Sequence, residues 1–298
     1  MKITFLGTGA GEGYPGLYCE CPNCTYAREH GGRNIRTNTA TLLDDDTLLD
    51  MNDTCPVTAA RLGISLARVR RLLITHSDDD HLSSQVLWWR FGGHNDQSQT
   101  DETFFALPLS EKMKRSAPRF TSVPTLDVYG NRATKHALMR IRPQIFDEPS
   151  PQQVAYHEIR EGNEYVSGDV TFAPIRAQHG YAGFCHNYIL TRGGKTLLYA
   201  TDTGGYDEDM LAVVLSQKYD CVIMEGTLGL GASLDGHMSL EKNLRFQKLL
   251  RENGCWKHDE RMYLTHMSPH WTPPHDQYVE MLADKGLSVA WDGLQIEI

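Results

Sequence analysis

Long apolar runs are missing from this chain of 298 residues: none approaches the roughly 20 needed to cross a bilayer. No signal peptide precedes Ile3, so neither a membrane partner nor export is expected. Positive charge is also in short supply. Lys and Arg number 29 against 38 Asp and Glu, and a formal net charge of -9 argues against a surface that binds nucleic acid regardless of its sequence. The local exception, Arg68-Val69-Arg70-Arg71, reads as the flank of a strand. Seven cysteines cannot all pair, which favours a reducing cytoplasm and leaves thiols free for metal. What the chain does hold is 40% hydrophobic residues, enough to bury a large core, and one α/β domain over 1–298 is the default.

Chemistry concentrates in Leu72-Leu73-Ile74-Thr75-His76-Ser77-Asp78-Asp79-Asp80-His81-Leu82, where an apolar strand stops on His76, Asp78, Asp80 and His81. Crowding these groups into one turn costs charge repulsion unless a cation compensates it, and imidazole with carboxylate suits zinc, iron or manganese. The competing reading has Asp78 or Asp79 capping a helix over 82–89, which accounts for one acid only. Asp50, His179, Asp202 and His266 likewise follow apolar strands. Strand ends hold side chains rigidly while the next loop leaves room for a substrate. Separately, Cys19, Cys21 and Cys24 put three thiols within six positions, a spacing that favours tetrahedral zinc over disulfides. Three reduced, unligated cysteines are the alternative there.

The first run resembles the H-x-H-x-D-H signature of the metallo-β-lactamase superfamily, with Asp78 where a second histidine is usual. The opening from Ile3 through Gly7-Thr8-Gly9-Ala10-Gly11 to Pro15 is similar to two relatives at once, the phosphoribosyl cyclic phosphodiesterases of phosphonate breakdown, which the metal motifs favour, and pyrroloquinoline quinone biosynthesis protein B. Glu225-Gly226-Thr227, Gly236-His237-Met238 and the ending from Trp291 to Ile298 are also similar to pyrroloquinoline quinone biosynthesis protein B.

This resemblance implies a four-layer αββα sandwich of two mixed β-sheets flanked by helices, with a variable insert around 92–165. It also implies His76, Asp78 and His179 on one divalent ion, Asp80, His81 and His266 on a second, and Asp202 bridging them. Asp50 would orient a ligating imidazole, and His237 would protonate a leaving alkoxide. Because the family assigns only His266 of the last loop to the ion pair, His270 is left to complete a Cys3His structural zinc site. The implied activity is hydrolysis of a small phosphodiester, cyclic esters included, by a metal-bound hydroxide, with Asp80 and His237 as catalytic residues. Asp78 adds negative charge and draws preference from zinc toward manganese or iron. The alternative is an iron-dependent oxidoreductase or cofactor-biosynthesis enzyme like protein B. A homodimer is left open.

Periodicity predicts strands at 3–6, 40–43, 47–49, 71–74, 126–129, 170–175, 186–190, 196–199, 221–224, 262–264 and 287–291. Helices are expected at 57–62, 82–89, 134–139, 207–215, 240–251 and 275–283, and the polar stretch 92–100 reads as a loop.

Overall fold

Alternating apolar side chains bury both faces of each sheet, and that dictates the layering. The computed structural model describes residues 1–90, 102–115, 123–147, 150, 153–180, 185–231 and 235–298. One sheet is built from β1 (Lys2–Gly7), β2 (Ala40–Leu43), β3 (Thr47–Leu49), β4 (Arg71–Leu73), β5 (Leu126–Gly130) and β6 (Val154–Glu158). The other holds β7 (Tyr165–Ser167), β8 (Val170–Arg176), β9 (His186–Arg192), β10 (Lys195–Ala200), β11 (Cys221–Glu225), β12 (Met262–Thr265) and β13 (Leu287–Val289), while β14 (Gln295–Glu297) returns to the edge of the first. The orders are β14-β1-β2-β3-β4-β5-β6 and β13-β12-β11-β10-β9-β8-β7. Both sheets are mixed: β3 through β6 and β10 through β13 run parallel, and the remaining pairs are antiparallel.

Helices α1 (Pro22–His30), α2 (Cys55–Arg61), α3 (Ser84–Trp89), α4 (Glu102–Ala106), α5 (Leu109–Arg115), α6 (Arg132–Ile141), α7 (Glu208–Leu215), α8 (Leu240–Glu252) and α9 (His275–Leu282) fill the connections. Between the sheets, Ile3, Phe5, Leu49 and Leu73 meet Phe172, Tyr188, Leu197, Tyr199 and Ile223. The opposite faces are covered too: Leu6, Leu42, Leu72 and Val128 pack with Leu87 of α3 and Leu138 of α6. Leu198, Val222 and Leu264 pack with Val214 of α7, Phe246 of α8 and Tyr278 of α9. Each such side chain contributes about 1.5–3 kcal/mol on burial. The outcome is the expected αββα sandwich.

Differences from the expected elements have local causes. The helix expected from position 82 starts at Ser84, because Leu82 bridges to Met51 and Ser83 accepts the Val86 N–H as its cap. Ser83 therefore takes the capping role considered for Asp78 and Asp79. Helix α1 was not anticipated; Pro22 opens it in the first turn, where a missing N–H removes no intrahelical bond. Within the segment around 92–165, β5 and β6 extend the first sheet in register with β4, Leu72 opposite Val128. The polar stretch 92–100 lies outside the described residues. Among the described residues, no helix is long and apolar enough to cross a membrane.

Candidate metal centre

Parallel strands bring their C-terminal ends to one rim, and that rim carries Asp50 after β3, Thr75 and His76 after β4, Asp202 after β10, Glu225 ending β11 and His266 after β12. Asp50, Asp202 and His266 adopt φ of 60°, 48° and 57°. This left-handed backbone is unfavourable for residues with a Cβ and persists only where the surroundings over-determine it. The chain thus turns away directly after each strand.

Asp202 sits at the middle. Its Oδ2 is 2.7 Å from His81 Nε2 and 3.4 Å from His76 Nε2, and its Oδ1 is 3.1 Å from His266 Nδ1. Asp80 Oδ2 lies 3.3 Å from His81 Nε2 and 3.4 Å from His266 Nε2. Asp78 Oδ2 is 3.4 Å from His76 Nε2 and 3.8 Å from His179 Nε2. Donor atoms of Asp80, His81, Asp202 and His266 lie within 4.8 Å of one another, as do those of His76, His179 and Asp202. The two groups share Asp202, the arrangement that a bridged pair of ions requires.

Fit to metal can be tested on unmet polar needs. His76 Nε2 and Asp202 Oδ1 are buried and, although donors and acceptors crowd them at 3.1–3.4 Å, neither is aligned to make a hydrogen bond, a costly state for uncompensated groups. Burial pushes the Asp202 carboxyl up, yet the charges of His266 and His81 hold it well below the usual range. Burial likewise disfavours a charged His81, but Asp202, Asp50 and Asp80 push it well above its ordinary value. Divalent cations meet the same demand, displacing protons from the imidazoles. The nitrogen and oxygen donors present suit such ions.

Partners behind the donors fix their aim. Asp50 is fully buried and accepts from His81 Nδ1 at 2.8 Å, from the Thr75 N–H at 2.8 Å and from the Thr75 hydroxyl at 2.9 Å. His81 Nε2 is thereby left facing the cluster. Thr227 Oγ1 lies 2.8 Å from His266 Nδ1, and His179 Nδ1 lies 3.2 Å from the Gly236 carbonyl.

His237, expected beside a substrate phosphate, stands with Nδ1 2.8 Å from Glu225 Oε1 and 3.6 Å from Asp202 Oδ1. Burial alone would depress it, but the Glu225 hydrogen bond and charge, with Asp202 and Asp80, push it up to about 9. Glu225 was not singled out from the sequence. Fully buried, it also accepts from the N–H groups of Thr203 and Thr227. Its signal was an acid closing the apolar strand Cys221-Val222-Ile223-Met224, the same pattern that marked Asp50 and Asp202.

The second cluster is looser. Sulfurs of Cys19, Cys21 and Cys24 lie within 4.8 Å of one another, and His270 Nδ1 is 3.9 Å from Cys19 Sγ. His270 is half-exposed and also 3.8 Å from Glu12 Oε1. Asn23 Nδ2 donates to the Pro269 carbonyl at 2.9 Å, which ties the start of α1 to the loop carrying His270.

Comparison with known proteins gives three findings. Residues 110–267 match the family described as the beta-lactamase superfamily domain. Coenzyme PQQ synthesis protein B of Klebsiella pneumoniae is 25% identical over all of this chain and 98% of its own, and ribonuclease Z of a Cyanothece species is 24% identical over all of this chain and 96% of its own. A solved diphosphatase from the PhnP family superposes with a TM-score of 0.71 at 21% identity, covering all of this chain and 96% of that one.

Proposed function

The chain belongs to the metallo-β-lactamase superfamily, and from that premise we propose that it is a metal-dependent hydrolase of a small phosphodiester. The observation that carries this reading is the His237 and Glu225 pair beside the shared carboxylate of Asp202. His76, Asp78, His179 and Asp202 would hold one ion, and Asp80, His81, His266 and Asp202 the other. When bound, two such ions polarise a phosphoryl oxygen and activate water.

The chain's own residues supply the rest. The hydrogen bond and charge of Glu225 favour a protonated His237, which can give a proton to a leaving alkoxide. Glu225 holds Nδ1 and leaves Nε2 as the donating nitrogen. A cavity of about 570 Å³ lined by Arg176, Gln178, His179, Asp207 and Lys242 gives one arm of the ester room beside His179. A ribonuclease Z and a diphosphatase among the relatives support cleavage of phosphate linkages. The thiols and His270 would hold a structural zinc.

A second reading has its own support: the carboxylate of Asp78 and the similarity to coenzyme PQQ synthesis protein B favour a harder metal and a biosynthetic oxidation. One experiment separates them. Metal-analysed protein is assayed against cyclic and linear phosphodiesters, with oxygen uptake followed in parallel. Ester cleavage without oxygen uptake is expected. His237→Ala should lower turnover about 10²–10⁴-fold on alkoxide esters and spare nitrophenyl esters, whose leaving group needs no proton. Oxygen uptake with every diester left intact would overturn the hydrolase reading.

A further inference from the structure

Arg132, His136 and Arg140 are four residues apart on α6, so their side chains share one face over about 12 Å of helix axis. All three are exposed, and none has a hydrogen-bond or ion-pair partner among the described residues. Their neighbours are engaged: Lys135 lies over the Tyr156 ring, and Arg142 donates to Gln85 and stacks on Trp88. Several other arginines of this acidic chain are closely paired, as with Arg71 to Asp46, Arg176 to Asp207 and Arg251 to Glu260.

The unpaired face is also fixed in direction. Asn131 caps the helix by accepting the Thr134 N–H, and Thr134 and Leu138 are buried on its other side. Arg132, His136 and Arg140 line a cavity of about 570 Å³ together with Ser77, Ala133 and Ala137. Ser77 stands between His76 and Asp78, so the cavity borders the loop that supplies metal ligands. Asp78 is turned toward His76 and His179. A guanidinium fork matches a phosphate in both shape and charge, and two forks with an imidazole between them cover more length than one phosphate group fills.

We infer that the α6 cavity is a subsite for a second phosphate, so that the substrate carries at least one phosphate beside the ester that is cleaved. The link to cleavage rests on the hydrolase reading; anion binding by α6 does not. A phosphorylated sugar or nucleotide ester has the required chemistry. An ester with two uncharged arms does not.

The test uses fully metallated protein and two ligands that contain no diester, thymidine 3′,5′-bisphosphate and thymidine 5′-monophosphate, titrated by calorimetry. Wild type should bind the bisphosphate about tenfold or more tightly than the monophosphate, since a charge-assisted hydrogen bond contributes that order. Arg132→Ala combined with Arg140→Ala should abolish this preference, leave the monophosphate affinity unchanged, and flatten the salt dependence of bisphosphate binding. Both positions are exposed, so folding is not at stake. Equal binding of the two ligands by wild type, or a preference that survives the double substitution, would overturn the subsite. A kinetic arm compares the dinucleotide TpT with 5′-phosphorylated pTpT: the double variant should raise KM for pTpT alone and keep kcat. If neither dinucleotide nor any other diester is cleaved while the calorimetric preference holds, the hydrolase reading fails and the anion subsite stands.

Discussion

The two ends of the sandwich bury charge in opposite ways. Where β4 begins and β9 ends, Asp46 lies between two arginines, 3.0 Å from Arg71 and 2.8 Å from Arg192, and Asp169 pairs with both. At the other end of the same strands, Asp202 and Asp80 face imidazoles, and buried polar atoms such as His76 Nε2 and Asp202 Oδ1 make no hydrogen bond. One end is closed by cations of the chain itself. The other is built to take cations from outside, because burying carboxylates together is tolerable only when something positive sits among them.

Substitutions at the open end should have the largest effects. Asp202→Ala removes the donor common to the two clusters, and on the proposed two-ion reading we expect loss of both ions and a fall in turnover of about 10⁴-fold or more. Metal analysis alongside a nitrophenyl diester assay checks it; retention of two ions would mean that Asp202 is not shared. Asp50→Asn keeps the shape of the side chain and removes its charge behind His81. A loss of about 10–100-fold in metal affinity or activity is expected, the size typical of a group that orients a ligand. An unchanged affinity would show that Thr75 and packing suffice to aim His81.

The thiol cluster tests whether a less buried set of donors behaves like the buried one. Cys21→Ser should remove one zinc and lower the melting temperature while changing turnover only a few-fold, because this cluster ties α1 to the His270 loop and not to reacting atoms. Native mass spectrometry and calorimetric melting decide it. Loss of all ions together would place the cysteines within the catalytic unit.

These contrasts explain what was legible in the sequence. His76, Asp202 and His266 could be picked out because each ends an apolar strand, so periodicity and chemistry pointed to the same position. Glu225 ends a strand too, yet a lone acid before Gly226-Thr227 looks like any turn until Thr203, Thr227 and His237 are seen to converge on it. Thr75 and Thr227 act through hydroxyls that no spacing rule marks. The αββα layers were legible through family resemblance, whereas β7 and β14 are edge strands without a fully buried residue, so they offer no apolar run to read. The bare face of α6 was hidden for another reason: two arginines and a histidine on a helix resemble any solvated face until the neighbouring cavity is known.

The smallest effect is expected at the closed end. Burial pushes the Asp46 carboxyl up, but hydrogen bonds from Arg192 and Thr47 and the charges of Arg192 and Arg71 outweigh it and leave it below the usual range. A carboxylate depressed in this way contributes stability that is fully present above its unfolded value, about 3.9, and is lost as pH falls through the lower folded value. Arg192→Met removes the main partner at a pair whose side chains are 18% and 21% exposed, so its cost should lie between those of surface and buried pairs, ~2 kcal/mol at pH 7. Urea unfolding of chelated wild type and variant at pH 7, 5 and 3.5 keeps metal loss out of the comparison. The gap between the two proteins should be constant from pH 7 to 5 and narrow at 3.5, with metal content and turnover at pH 7 unaffected. A gap that stays the same at pH 3.5 would mean Arg192 stabilises the sandwich through packing of its stem, and the two ends would then differ less in electrostatics than the paired arginines imply.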